Sequence, residues 1–396
     1  MDILADSLSM IKPSSTGVVT QRAIELKAKG VDVISLSVGE PDFDTPPHII
    51  EAAKRAMDEG FTRYTATPGI DALRQQVAKR SEEIRKVPCD ASQVVITPGA
   101  KFAIFEFFQA VLNPGDEVIV PTPYWVSYPD QVRLFGGVPV FAHTAPEDDF
   151  ILSVAEFERH CTPKTKVLLL NTPNNPTGAV YPKEAIRNLT TAAAQAGILI
   201  LCDEVYRDLV WHGRKQYSPL TAAKADFRDR VFIVDGVSKN YAMTGWRIGW
   251  GIGHPDIISG MVKIQGQSTT NPCTIAQAAA LAALSSPMTF MPKWRKAYIK
   301  KRDAICKGLD DIPGVTCTVP EGAFYVLPSF KTVIDKMGPE ATDVTLATYL
   351  LDESRVATVP GSAFGAPGHI RLAYAAALDV IEEATKRIKA AVEKLW

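Results

Sequence analysis

Lys239 stands in a loop of small and apolar residues just after the β-branched run 231–234, and eight positions on Arg247 lies between Trp246 and Ile248. The pattern predicts a strand, a functional loop and a second strand. A lysine amine held partly out of water has a lowered pKa and a free lone pair to attack a carbonyl, so Lys239 is a candidate for Schiff-base chemistry. Taken alone, Ser238-Lys239-Asn240 reads equally well as a solvated surface loop, and only companions elsewhere in the chain decide.

Two other apolar runs end in polar residues. Residues 167–170 lead into Asn171-Thr-Pro-Asn-Asn-Pro-Thr-Gly178, and residues 197–202 lead into Asp203-Glu-Val-Tyr206. Both runs read as buried parallel strands whose C-terminal ends deliver side chains to the edge where open α/β sheets bind ligands. Asn175, Asp203, Tyr206, Lys239 and Arg247 then converge on one crevice. That set suits pyridoxal 5'-phosphate: the lysine for the aldehyde, the carboxylate for the pyridinium nitrogen, Asn and Tyr for the ring hydroxyl, Arg for the phosphate. Singly, Asn175-Pro176 is a turn former, Asp203 a helix cap and Tyr206 a half-buried amphiphile.

These motifs, with Met243-Thr-Gly-Trp-Arg-Ile-Gly249, resemble the fold-type I pyridoxal-phosphate aminotransferases, in particular the bacterial aspartate aminotransferases. The resemblance runs from Val38-Gly-Glu-Pro-Asp-Phe43 to His369-Ile-Arg-Leu-Ala-Tyr374. It implies an α/β fold: a large domain with a mainly parallel seven-stranded sheet between helices, plus a smaller α+β domain. It also implies a homodimer with shared active sites and a ping-pong exchange of the amino group between aspartate and 2-oxoglutarate. Prephenate or aromatic substrates, or a related lyase reaction, are the alternatives.

By the same resemblance Trp125 stacks on the cofactor ring, Arg371 grips the substrate α-carboxylate, and the loop at Gly39 lies over the substrate. Tyr64 reaches the phosphate of the neighbouring subunit's cofactor, and Lys12 and Thr16 lie in the segment that covers the substrate. Gly99, Ala100 and Lys101 open an apolar helix whose backbone N–H groups form an anion seat. Lys101 is also the candidate for the distal carboxylate of a dicarboxylic substrate, because a cation at a helix N-terminus opposes the helix dipole and calls for a bound anion. One departure stands out: many relatives carry a Ser or Thr where this chain has Gly236, which leaves the phosphate to backbone N–H groups, Ser238, Arg247 and Tyr64.

The 396 residues, 46% hydrophobic with net charge −1, describe a globular chain long enough for two domains and offer no electrostatic reason for a nucleic-acid or membrane partner. Small amino acids and 2-oxo acids are the expected partners. The six cysteines show no C-x-x-C pair, so no metal site is signalled and reduced thiols are expected. Met1-Asp-Ile-Leu-Ala-Asp6 carries acid where a secretory signal carries base, which points to a cytoplasmic protein. Periodicity predicts helices over 18–29, 49–58, 102–112, 293–309 and 378–395, and further strands over 33–38, 94–97, 116–120, 324–327 and 369–372. The Pro-rich break at 44–47 suggests a cofactor-binding domain over 47–286, with 1–46 and 287–396 forming one discontinuous small domain. Gly249-Trp-Gly-Ile-Gly253 is not a dinucleotide fingerprint, because His254 breaks the spacing and no first strand leads into a helix there.

Overall fold

The computed structural model describes residues 3–11 and 15–396, the side chains of residues 6, 7 and 15–20 excepted. Lys12 therefore lies outside the described residues, and Thr16 is described only as backbone of the helix Ser15–Ala28. In chain order the strands are β1 Ile34–Ser35, β2 Val94–Thr97, β3 Glu117–Thr122, β4 Val138–His143, β5 Thr165–Asn171 and β6 Leu199–Asp203. They continue with β7 Val231–Gly236, β8 Gly249–Ile252, β9 Tyr325–Val326, β10 Val356–Ala357, β11 Val359–Pro360 and β12 Ile370–Ala373.

Seven strands form the large sheet in the order β2-β8-β7-β6-β5-β3-β4. All its neighbouring pairs are parallel except those of β8, which runs antiparallel to both β7 and β2. This is the mainly parallel seven-stranded sheet that the resemblance implies. The strands are apolar on both faces because helices cover both. Successive residues of β7 alternate between two cores, Val231 and Ile233 in one, Phe232 and Val234 in the other. Residues 167–170 of β5 divide the same way, as the two-residue repeat of a strand requires. One core takes in the helices Pro47–Asp58, Asp71–Arg85, Lys183–Gln195 and Thr274–Ser285, and the other Ala100–Val111 and Pro255–Gln267.

The glycines in β8 and just after it are packing residues. A Cβ at Gly251 or Gly253 would run into the Phe232 ring, and one at Gly249 would collide with the backbone of Gly99 and Ala100. The first turn of the helix Ala100–Val111 is thereby pressed against the sheet beside Lys239.

A separate core joins the long helix Met291–Asp310, the closing helix Leu378–Glu393 and a three-stranded sheet in the order β11-β12-β9. β1 pairs in parallel with β10. The strands here are shorter than the apolar runs suggest: 33–38 yields only Ile34–Ser35, and Leu36 continues with one backbone bond to Ala357 and one from Ala373 before the chain turns toward the crevice. β4 and the helices Asp71–Arg85, Lys183–Gln195, Pro255–Gln267 and Thr274–Ser285 complete the large unit. Under the ends of β6 and β7 lies a buried ion cluster. Arg85 meets Glu204 at 2.6 Å and Asp235 at 3.9 Å, and Arg207 meets Glu204 at 3.5 Å. No described helix is long and apolar enough to cross a membrane.

Candidate active site

The C-terminal ends of β5, β6 and β7 open into a crevice of about 720 Å³ between the large sheet and the smaller core. Eleven of the residues singled out in the sequence line it: Gly39, Ala100, Lys101, Trp125, Asn175, Asp203, Tyr206, Ser238, Lys239, Arg247 and Arg371. Gly99 stands directly behind them. Its φ of +93° suits glycine, and a Cβ there would sit 2.6 Å from an Arg247 guanidinium nitrogen. Tyr64 is elsewhere in the single chain: it is 89% exposed and lines a separate groove with Asn271, Cys273 and Thr274.

Lys239 reaches its place because β7 ends at Gly236 and the chain turns back into β8, putting the lysine at the top of the turn. The turn is tied to the N-terminal segment. Thr45 Oγ1 donates to the Ala242 carbonyl at 2.7 Å, and Trp246 Nε1 donates to Thr45 Oγ1 at 3.1 Å. Lys239 Nζ donates to the Gly39 carbonyl at 2.5 Å and lies 6.0 Å from the Tyr206 ring centre and 5.9 Å from that of Phe324. Burial lowers its pKa to about 8, opposed by the charge of Glu40 and reinforced by those of Arg247 and Arg371.

Asp203 faces Lys239 from the end of β6. Its Oδ2 accepts from the Tyr128 hydroxyl at 2.8 Å and its Oδ1 from the Val205 N–H at 3.1 Å. Burial still raises the carboxyl to about 6, since two neutral donors do not replace a cation. Asn171 orders the next strand end: its Nδ2 donates to the Asp203 carbonyl at 3.1 Å and its Oδ1 accepts from the Asn175 N–H at 2.9 Å. Tyr206 and Tyr325 share a hydroxyl–hydroxyl bond of 2.8 Å.

Arg371, on β12, is buried between the rings of Tyr325 and Phe364, each 4.8 Å from its Cζ. It donates to Asn175 Oδ1 at 3.2 Å and to the Ser37 carbonyl at 2.5 Å, while its Nε has no partner among the described residues. At the other end, Arg247 is held with a left-handed backbone (φ +57°) over the start of the helix Ala100–Val111, donating to the Thr244 carbonyl at 2.9 Å. Lys101 Nζ lies 4.9 Å over the Trp125 ring, and burial together with the Arg247 charge lowers its pKa. Trp125 in turn meets Tyr128 edge-on at 5.3 Å.

Four cations thus face two carboxylates, Asp203 and Glu40, across one crevice of a chain whose net charge is −1. Such a crevice is built for anions. Tyr128, Tyr325, Glu40, Asn171 and Ser37 complete it and escape a reading of the sequence. Asn171 and Glu40 lie inside motifs already quoted, while Tyr128 and Tyr325 carry only the signal of an aromatic residue beside one.

The profile of aminotransferase class I and II matches residues 31–388. The chain belongs to this family. It is 42% identical over 385 residues to an aspartate aminotransferase of Geobacillus stearothermophilus, covering 97% of this chain and 98% of that protein. It is 43% identical over 398 residues to a probable aspartate/prephenate aminotransferase of Aquifex aeolicus, covering 99% of each. The fold superposes on an aspartate aminotransferase of Thermus thermophilus, solved with maleate, with a TM-score of 0.93 at 41% identity, covering 99% of this chain and all of that one.

An aminotransferase whose lysine amine titrates near 8 has a reactive nucleophile under mild conditions. In the cofactor-free chain, a limiting amount of an amine-acylating reagent should label Lys239 with a midpoint of about 8, since the amine is a protonated cation below that pH and a free base above it. Peptide mass mapping reads the label. A midpoint near the ordinary lysine value of about 10.4 contradicts the burial argument.

Proposed function

We propose that the chain is a pyridoxal 5'-phosphate-dependent aspartate aminotransferase, passing the amino group between aspartate and 2-oxoglutarate by a ping-pong route. The observation that carries this reading is a buried lysine amine opposite a buried carboxylate, in a crevice whose other charges are cations. The residues fit the cofactor. Lys239 Nζ would bind its aldehyde carbon, Asp203 would meet the pyridinium nitrogen, and Trp125 would cover a ring face. Asn175 and Tyr206 would hold the ring hydroxyl. Ser238, Arg247 and the backbone N–H groups after Gly99 would take the phosphate. When bound, the cofactor supplies the electron sink that makes the substrate Cα–H acidic.

The chain's own groups do the rest. Arg371 exchanges its bonds to Asn175 and Ser37 for the substrate α-carboxylate, and the stacking of Tyr325 and Phe364 keeps its plane fixed during the exchange. Lys239, with an amine poised near 8, would take the proton from the substrate Cα and return it, on the same face, to the carbon that came from the cofactor's aldehyde. Asp203, raised by burial beside two neutral donors, becomes a full carboxylate once a cation stands against it, so it would hold a protonated ring nitrogen in place. Lys101, beside Trp125, takes the distal carboxylate of aspartate or glutamate.

The domain division at residues 46–47 and 286–287 belongs to this reading, as does a cytoplasmic setting, which the six free thiols support. So does a homodimer in which the exposed Tyr64 enters the neighbouring subunit's phosphate site and Lys12 and Thr16 cover the substrate. Its support is an aromatic side chain left open at a groove shared with residues 271 and 273–275. The name of the Aquifex aeolicus relative brings prephenate in as a second amino acceptor to test.

Three experiments test the reading. Protein purified with the cofactor should be yellow, and borohydride should fix the cofactor on Lys239; an adduct that persists in Lys239→Ala places the attachment elsewhere. Mixing Lys239→Ala chains with inactive Tyr64→Ala chains should recover activity in hybrid dimers, and no recovery after confirmed subunit exchange means that each site is built from one chain. Removing one member of a buried charged pair costs roughly 2–5 kcal/mol, and because Lys101 stands at the open mouth of the crevice the lower figure is the upper bound for it. Lys101→Ser should therefore reduce kcat/KM for aspartate and glutamate by up to about thirtyfold and spare alanine and phenylalanine. An equal loss for neutral substrates places Lys101 at the cofactor instead.

A further inference from the structure

Away from the crevice, Cys306 and Cys317 place their sulfurs 3.9 Å apart, the Cys317 thiol donating to Cys306 Sγ. No other cysteine pair among the described residues is in such contact. Cys306 lies near the end of the helix Met291–Asp310, and Cys317 lies in the segment that leads from that helix to β9. The intervening turn is firmly built. Gly314 takes a φ of +76°, where glycine is at ease, and Val315 N–H bonds the Ile312 carbonyl at 3.2 Å. Reciprocal backbone bonds of 3.2 and 2.8 Å between Thr316 and Ser329 then fix the chain beside Cys317. The two sulfurs are thus presented to each other from two anchored segments.

We propose that Cys306 and Cys317 are a disulfide-forming site, reduced in the structure and closed by exchange with a small-molecule disulfide. This does not rest on the cofactor reading above. Closure needs the sulfurs to approach by about 2 Å. The order of steps follows from exposure, since Cys317 is half-buried and Cys306 is buried. Cys317 loses its proton to solvent, and its thiolate attacks one sulfur of R–S–S–R. This forms a mixed disulfide and expels RS⁻. Cys306, deprotonated in turn, attacks Cys317 Sγ and expels the second RS⁻. Two protein thiols are oxidised, one external disulfide is reduced, and the two protons end on the two released thiolates.

The bond would join the two supports of one crevice wall. The helix of Cys306 carries Trp294, stacked on Phe43 at 4.6 Å, and Lys301, paired with Asp42. The segment of Cys317 leads to Tyr325, which touches Gly39 and bonds Tyr206. The contact with Cys306, together with burial, holds the Cys317 thiol well above the usual range, so thiolate is scarce at neutral pH. Exchange should be slow near pH 7 and should quicken about tenfold per pH unit.

The test uses the whole holoenzyme incubated with oxidised glutathione at pH 7, 8 and 9, quenched by alkylation and digested with trypsin without reduction. Cleavage after Lys307 separates the two cysteines, so the bond appears as peptides 303–307 and 308–331 joined, two hydrogens lighter than their sum, and parted by dithiothreitol. Cys306→Ser should stop the reaction at a stable glutathione adduct on Cys317, and Cys317→Ser should leave Cys306 unmodified. A stable adduct on Cys317 in the unaltered enzyme overturns the proposal, as does a closure rate flat in pH. So does a native enzyme that stays unlinked at pH 9 while the guanidine-unfolded chain links.

Discussion

A primary amine kept from water with one carbonyl as its hydrogen-bond partner is the constraint to which the rest of this molecule answers. Lys239 donates to Gly39 O across the boundary between the two cores, so the segment carrying Gly39 and the turn carrying Lys239 must stay in register. Thr45 and Trp246 pin that register, and Gly39 must lack a side chain because the Tyr325 hydroxyl occupies the place of its Cβ. Desolvation opposes the ammonium form and lowers the lysine to about 8. The fold thus spends conformational order to hold a base near neutrality, and the sheet order follows from the same need. β8 must reverse direction beside β7 for the lysine to stand at a turn over the ends of the parallel strands.

Two further charges of the crevice, Arg371 and Asp203, are each given partners. Arg371 borrows an amide oxygen and a backbone carbonyl and is sandwiched by two rings, partners that a carboxylate can displace without moving the guanidinium. Asp203 sits beside Glu204, whose charge would push the Asp203 carboxyl higher. Arg85 and Arg207 neutralise Glu204 on the far side of the strand end. Removing one partner of such a buried cluster leaves an uncompensated charge, so the cluster under the site is a condition for the ionisation above it.

Much of this was legible in the sequence because strand ends are punctuated. An apolar run that stops abruptly at Asn171, Asp203 or Asp235 announces both a buried strand and the edge at which it delivers its polar residues. The small domain was less legible. Its strands β1, β9, β10 and β11 are two residues long, and their pairing depends on contacts between distant segments that no local periodicity encodes. Tyr128 and Tyr325 escaped for a related reason: an aromatic residue in an apolar stretch looks like core until the carboxylate or hydroxyl at its tip is known. Tyr64 is the converse. Its side chain is exposed in the single chain, and any role it has depends on a neighbour.

Gly236 shows how packing can decide chemistry. A Cβ there would stand 3.1 Å from both Gly249 Cα and the Ile248 carbonyl, so a hydroxyl-bearing side chain would have to push β8 away from β7. β8 cannot yield, because Gly249 is already pressed against the first turn of the helix Ala100–Val111. The tight stack of β7, β8 and that helix brings the backbone N–H groups of the helix start closer to the sheet edge than a bulkier residue would allow. Arg247, turned by its left-handed backbone over Gly99, caps the same point. In the proposed reading, an anion at this end of the crevice is met by fixed backbone dipoles, Arg247 and Ser238. A missing side-chain donor is offset by closer approach of the peptide groups, which lose no rotamer freedom when they bind.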